Sequence, residues 1–297
     1  MKRFQGVYPA LVTPVDDRGN IRTGALRDLM EWHLEVGVDG FYIAGGTGEG
    51  LLLTQDQRKE LTEATVRAND GRVPVIVHVG HVSTRAAVDL ARHASAAGAD
   101  AVSAIPPIYY GTDPASIVGH YSAIASATPL PLIVYHIPAA THSRMTVGLM
   151  TELLRLPTVK GIKFSDYNHF LMRQIGMLGP DLLVYSGNDE VFLSGLVMGA
   201  NGGIGLTYNF MPQLFVGIYK AFHAGDLVRA RELQWKACAM IDVLLGISGS
   251  TLSAAKVLLR HQGFEVGEVR RPIRPLTPQD TDLVVGRMTE LGLDRPN

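Results

Sequence analysis

Val159-Lys160-Gly161-Ile162-Lys163-Phe164-Ser165 is a short apolar run that reads as a buried strand and closes on a lysine. Successive strand side chains point to opposite faces, so apolar residues in both phases call for burial on both sides, as in a parallel sheet. Comparable runs recur at residues 7–13, 40–44, 75–79, 101–105, 132–135, 183–186 and 203–206. Amphipathic segments separate them. Residues 23–36 carry Leu26, Leu29, Met30 and Leu34 at helical spacing, and residues 83–97 carry Ala87, Val88, Ala91 and Ala94. Thr54 followed three residues later by Gln57 has the capping-box pattern, and Asp113-Pro114 pairs an N-cap with proline at the first helical position. Eight strand–helix alternations predict an α/β fold, a closed (β/α)8 TIM barrel. A doubly wound open sheet is the alternative, and it usually has fewer strands in one domain. From residue 211 onward the pattern is helical only, at 211–223, 226–245, 250–262 and 278–291, interrupted by the Pro-rich Arg271-Pro272-Ile273-Arg274-Pro275. The expected organisation is a barrel over residues 1–224 with C-terminal helices, 225–297, packed on it as one structural unit.

The composition, 46% hydrophobic and 19% charged over 297 residues, supplies a large core and argues against disorder. A net charge of −1 offers no basic footprint for nucleic acid or an anionic membrane. No window approaches the roughly 18 uninterrupted apolar residues of a membrane span. The opening residues run into the first strand without the apolar core of a signal peptide. Cys238, the single cysteine, has no internal disulfide partner, which points to a reducing compartment. A cytoplasmic protein is expected.

Barrel chemistry sits where strands meet the following helices, and the unusual residues of this chain fall there. Gly45-Gly46-Thr47-Gly48-Glu49 follows the second run, and Pro106-Pro107-Ile108-Tyr109-Tyr110 the fourth. Tyr135-His136-Ile137-Pro138 ends the fifth, Lys163-Phe164-Ser165-Asp166 the sixth, and Gly187-Asn188-Asp189-Glu190 the seventh. A buried ammonium is costly without a partner or a task. Held neutral, the Lys163 amine is a nucleophile for a carbonyl carbon. The alternative is a strand-end lysine that reaches solvent or pairs with Asp166 or Asp189. Tyr135, from the adjacent strand and in register, offers a phenol to relay protons, or is a core tyrosine bonded to a loop. Tyr109 and Tyr110 present the same choice. Lys160 points the other way and reads as structural. The glycine-rich loop can present backbone amides to an anion. It matches neither the nucleotide-binding Gly-Lys-Ser/Thr pattern nor the dinucleotide spacing, so a carboxylate fits best, with Thr47 as an added donor. His78, His81, His136 and His142 lack metal-ligand spacing, and neither a metal nor another cofactor is expected. Cys238 reads as packing.

Together these stretches resemble the N-acetylneuraminate lyase / dihydrodipicolinate synthase family of pyruvate-dependent class I aldolases over essentially the whole chain. The resemblance rests on Gly46-Thr47-Gly48-Glu49, Tyr135-x-Ile137-Pro138, Gly161-Ile162-Lys163 and Gly187-x-Asp189. It implies a barrel with C-terminal helices assembled as a homotetramer. It also implies a Schiff base between Lys163 and pyruvate or another 2-keto acid, with Tyr135 and Tyr109 as further catalytic residues. Thr47 and the Gly46 amide would bind the carboxylate, and Ile204 would line the pyruvate pocket. Ser165, Gly187, Asp189 and Glu190 would contact the keto acid or sugar hydroxyls. His78-Val79-Gly80 and Lys163-Phe164-Ser165-Asp166 resemble the lyase branch. The synthases carry an arginine where this chain has Ala140, and Arg144 is out of register. Two departures stand out: Gly46 replaces the usual Ser or Thr, and Leu206 replaces a lyase serine. Both count against a plain neuraminate lyase, and N-acetylneuraminate or a related sugar acid is the leading substrate on the remaining motifs. The alternatives are a 2-keto-3-deoxy sugar-acid aldolase or dehydratase, dihydrodipicolinate synthesis, and a non-catalytic sugar-acid binding protein.

Overall fold

A computed structural model describes residues 2–295; Met1 of the expected barrel segment, and Pro296 and Asn297 of the expected helical one, lie outside the described residues. The strands are β1 (Gly6–Pro9), β2 (Phe41–Ile43), β3 (Val75–His78), β4 (Ala101–Ala104), β5 (Leu132–His136), β6 (Val159–Phe164), β7 (Leu183–Ser186) and β8 (Gly202–Gly205). All pair in parallel in the order β1-β8-β7-β6-β5-β4-β3-β2. The remaining seam closes where Ala10 bridges Tyr42 and the Leu11 N–H donates to the Tyr42 carbonyl at 2.8 Å. The sheet is a barrel, not an open doubly wound sheet.

The helices are α1 (Thr23–Val36), α2 (Gln55–Asn69), α3 (Thr84–Ala96), α4 (Pro114–Ala125), α5 (Pro138–Thr141), α6 (Val147–Leu153), α7 (His169–Gly176), α8 (Phe192–Val197), α9 (Pro212–His223), α10 (Leu227–Gly246), α11 (Thr251–His261) and α12 (Pro278–Glu290). Thr54 and Gln57 form the reciprocal capping box that starts α2, and the Asp113 carboxylate accepts the Ser116 N–H at 2.7 Å to start α4.

Period-two alternation divides the strand residues between two apolar regions. Tyr8, Tyr42, Ile76, Ile133, Tyr135, Leu183, Tyr185 and Ile204 fill the barrel interior. Val7, Phe41, Val77, Val102, Val134, Ile162 and Val184 pack outward in the core that includes the helices. Lys160 is an extra residue in β6: Val159 pairs with Leu132 and Gly161 with Ile133, which leaves Lys160 exposed at an irregularity. Beyond it the register recovers, and Lys163 lies directly opposite Tyr135.

β1 is shorter than the apolar run at residues 7–13: Ala10 and Leu11 still donate to the Gly205 and Tyr42 carbonyls, at 2.9 and 2.8 Å, but at Val12 a side chain replaces the sheet partner. Asn209, fully buried, accepts the Val12 N–H at 3.0 Å and donates to the carbonyls of Ala10 and Leu206 at 2.7 Å each. Asn209→Ala is expected to cost about 2 kcal/mol, since the buried Val12 N–H and Ala10 carbonyl lose their partner at about 1 kcal/mol each, while the Leu206 carbonyl keeps the backbone N–H of residue 209 at 3.1 Å. The urea midpoint at unchanged m-value would measure this.

Candidate active site

The Lys163 side chain is 5% exposed and has no ion-pair partner among the described residues. Its Nζ lies 4.2 Å from the centroid of the Tyr135 ring and 4.6 Å from that of Tyr42. The lysine therefore neither reaches bulk solvent nor pairs with Asp166 or Asp189. It lies over two aromatic faces and borders a cavity of about 400 Å³.

Eight of the ten expected site residues border that cavity: Lys163, Tyr135, Thr47, Ser165, Gly187, Asp189, Glu190 and Ile204. Gly46 borders an adjoining cavity of about 260 Å³ that has Tyr135 as a shared wall. A Cβ added at Gly46 would meet nothing within 4 Å, so packing does not demand its smallness. Gly187 differs, since a Cβ there would lie 2.0 Å from Ser165 Oγ. Tyr109 is not in the lysine cavity of its own chain. It is 89% exposed, has φ of +75°, stacks edge-on against Tyr110 and faces a separate cavity near Thr141 and Arg144.

The glycine-rich loop is held by its own backbone and by Thr13. Glu49 N–H donates to the Gly46 carbonyl at 3.0 Å, Gly50 N–H to Gly45 at 2.9 Å, and the Thr13 hydroxyl to the Gly48 carbonyl at 2.6 Å. Thr47, half-buried, turns toward the lysine cavity.

Asp189 is anchored by Thr207, whose N–H and hydroxyl each donate to Oδ2 at 2.7 Å. Burial nevertheless raises its carboxyl to about 6, against the opposing pull of Thr207 and of the Lys163 charge. Next to it the Tyr167 hydroxyl donates to Glu190, and that bond leads the effects pushing the phenol up to about 12. His136 Nε2 lies 3.3 Å from Asp166 Oδ2 and clips the β6–α7 loop to β5; burial lowers the imidazole. His78 is a satisfied core imidazole, bonded to the Ala44 carbonyl at 3.2 Å and accepting the Ile105 N–H at 3.3 Å. Burial holds it well below its ordinary value.

Sequence reasoning missed the contribution of the C-terminal helices. Ile241, Leu244 and Leu245 of α10 and Thr251 of α11 border the lysine cavity. Gln234 of α10, 7% exposed, donates to the Asp189 carbonyl at 3.0 Å and accepts the Leu193 N–H at 2.9 Å. Cys238 donates to the Glu190 carbonyl at 3.3 Å. Tyr42 was also overlooked, although its place in the inward phase of an apolar run was a usable signal.

A sequence model of the dihydrodipicolinate synthetase family matches residues 3–290. The chain belongs to this family. It is 38% identical to the N-acetylneuraminate lyase of Rhizobium meliloti over 278 residues, 94% of this chain and 92% of that one. The Ruminococcus gnavus sialic acid aldolase, solved as a catalytic-lysine mutant, superposes with a TM-score of 0.95 at 30% identity, covering 98% of this chain and 97% of the other. YagE, an Escherichia coli K12 prophage protein of the dihydrodipicolinic acid synthase family solved in complex with pyruvate, gives 0.93 at 26% identity, covering 98% and 99%. The protein is thus a carbon–carbon lyase of the class I, Schiff-base-forming pyruvate aldolases.

For a member of this family, Asp189 predicts a specific pH response. Its carboxylate borders the same cavity as the Lys163 amine, and below about 6 its charge is lost. The kcat/KM for cleavage should fall as pH drops through about 6, and Asp189→Asn should flatten that limb. Stability moves in the opposite sense. The folded state holds this proton more tightly than the unfolded chain, so Asp189 lowers stability as pH rises from the ordinary carboxylate range to about 6.

Proposed function

We propose that the protein reversibly cleaves N-acetylneuraminate or a closely related 2-keto-3-deoxy sugar acid to pyruvate and a neutral aldehyde sugar. Lys163 Nζ attacks the C2 keto carbon, and loss of water gives the iminium. Tyr135, left as the phenolate after giving its proton to the departing carbinolamine hydroxyl, takes the C4 hydroxyl proton; the C3–C4 bond breaks, and that bond's electron pair flows into the iminium. The enamine is then protonated at C3 and hydrolysed to pyruvate and free lysine. The carboxylate rests on Thr47 and the Gly46 amide. Ile204 flanks the pyruvate carbons, and Ser165, Gly187, Asp189 and Glu190 meet the keto acid or the hydroxylated chain. The lysine itself is the electron sink, so this reaction calls for no metal or other cofactor.

The observation that carries the reading is the polarity of the cavity. It has one cation, Lys163, and three carboxylates, Asp166, Asp189 and Glu190, on the wall beyond it. A substrate with one carboxylate and a neutral polyol chain matches this arrangement. A second carboxylate would lie against acids with no cation to meet it, which disfavours dihydrodipicolinate synthesis and dicarboxylic sugar acids. Leu206 favours a second reading within the same class. With Ile241, Leu244 and Leu245 it makes an apolar wall, and a hydroxyl placed there would lose a partner at about 1–3 kcal/mol. This supports 2-keto-3-deoxyhexonates, cleaved or dehydrated through the same lysine, as the alternative.

Assay of N-acetylneuraminate, 2-keto-3-deoxyhexonates and glucarate-derived keto acids with coupled pyruvate detection tests the reading. Pyruvate release from the first identifies a neuraminate lyase, and a product with its carbon chain intact identifies a dehydratase. Turnover of the dicarboxylates alone would overturn the proposal. Exposed Tyr109, Tyr110 and Leu51 offer apolar surface suited to a homotetramer, where Tyr109 would approach a neighbouring site. Light scattering tests the assembly. The free Cys238 suits a cytoplasmic setting.

A further inference from the structure

The pair formed by Lys256 and Glu49 is the most deeply buried charge pair among the described residues. Both side chains are fully inaccessible, and Lys256 Nζ lies 2.6 Å from Glu49 Oε1. Lys256 also donates to the Glu268 carbonyl at 2.9 Å, and the other Glu49 oxygen accepts the Arg270 N–H at 2.5 Å. Glu49 itself has φ of +55°, a conformation non-glycine residues seldom adopt without outside support. This cluster joins α11 and the segment after it to the last residue of Gly46-Thr47-Gly48-Glu49. Burying two charges offers weak stabilisation compared with an apolar pair of the same shape, so stability alone is a poor account of it. The other end of the tethered loop is Gly46 and Thr47, two to three residues away.

We propose that Lys256, through Glu49, is a positioning residue for the carboxylate-binding loop. It holds the loop in its left-handed turn so that the Gly46 and Thr47 donors face the keto-acid carboxylate beside Lys163. It also offsets a negative charge that would otherwise sit next to the bound anion. Lys256 does not touch substrate. Its effect is therefore on binding of the pyruvate moiety and not on the chemistry at Lys163. This rests on the Schiff-base reading but not on the identity of the sugar.

The test is borohydride trapping of pyruvate alone on the full-length protein, followed by intact mass as a function of pyruvate concentration. In Lys256→Met the half-saturating pyruvate concentration should rise tenfold or more, with the limiting trapping rate within about threefold of the unsubstituted protein. A purely structural role would reduce the amount of folded protein and leave half-saturation of the folded molecules unchanged, which overturns the proposal. If Lys256→Met does not fold because Glu49 is left unpaired, Glu49→Gln/Lys256→Met removes both charges and the tether together. It should still bind pyruvate at least tenfold more weakly; half-saturation within twofold of the unsubstituted protein overturns the proposal. The unsubstituted protein supplies the reference curve, so failure of the Schiff-base reading would appear there as no adduct at all.

Discussion

Lys163→Met is expected to eliminate the pyruvate adduct and lower turnover by about 10⁴-fold or more, because no second amine borders the cavity to form an iminium. In the described structure Lys163 is the only cationic side chain bordering its cavity, so an auxiliary lysine has no route to the keto carbon. The same substitution is expected to leave the protein at least as stable. Lys163 is 5% exposed without a carboxylate partner, and methionine fills similar space between the Tyr42 and Tyr135 rings without a charge to desolvate. Loss of activity with an unchanged or raised thermal midpoint separates a chemical role from a structural one. An adduct that persists at another position in Lys163→Met, or a collapse of folding, would remove the central role assigned to this amine.

How far the sequence spoke for itself follows from the range of the interactions involved. The helices were legible because caps and periodicity act within a few residues. The expected start of α3 at Ser83 differs by one residue from the observed Thr84, with Ser83 as its N-cap. The strands were legible as apolar runs, but their ends were not. Just past β1, Asn209, about 200 residues away in sequence, bonds the Val12 N–H and the Ala10 carbonyl, and no local pattern announces that exchange. At the site, Lys163 and Tyr135 could be paired because they end neighbouring strands in the same inward phase. The support for Asp189 and Glu190 by Gln234 and Cys238 was hidden, since it joins a loop to a helix 45 to 48 residues later. Tyr109 carried a residue type suited to proton transfer, yet its own chain holds it in the open. A C-terminal segment that looked like an appendage thus contributes a wall of the cavity.

Tyr135→Phe isolates the second chemical group, and its expected signature differs from that of Lys163→Met. Phenylalanine preserves the ring that lies 4.2 Å from Lys163 Nζ and the wall shared by the two cavities. Only the hydroxyl is removed. The variant should therefore keep its fold and still trap pyruvate on Lys163 to completion, though more slowly, because carbinolamine dehydration loses a proton relay. Cleavage should suffer more, with kcat lower by about 10²–10⁴-fold, the usual contribution of a positioned acid–base group. KM should change little, since the carboxylate and polyol contacts proposed above lie on other residues. The buried neighbours cannot substitute. The Tyr42 hydroxyl is directed to Ser103 Oγ at 3.3 Å, and burial pushes its phenol well above the ordinary value, which makes it a poor base. Single-turnover mixing of the substrate with excess enzyme would resolve iminium formation from bond cleavage. A Tyr135→Phe enzyme that cleaves at a near-normal rate would move the proton transfer to another group, with Ser165, which borders the same cavity, as the next candidate to substitute.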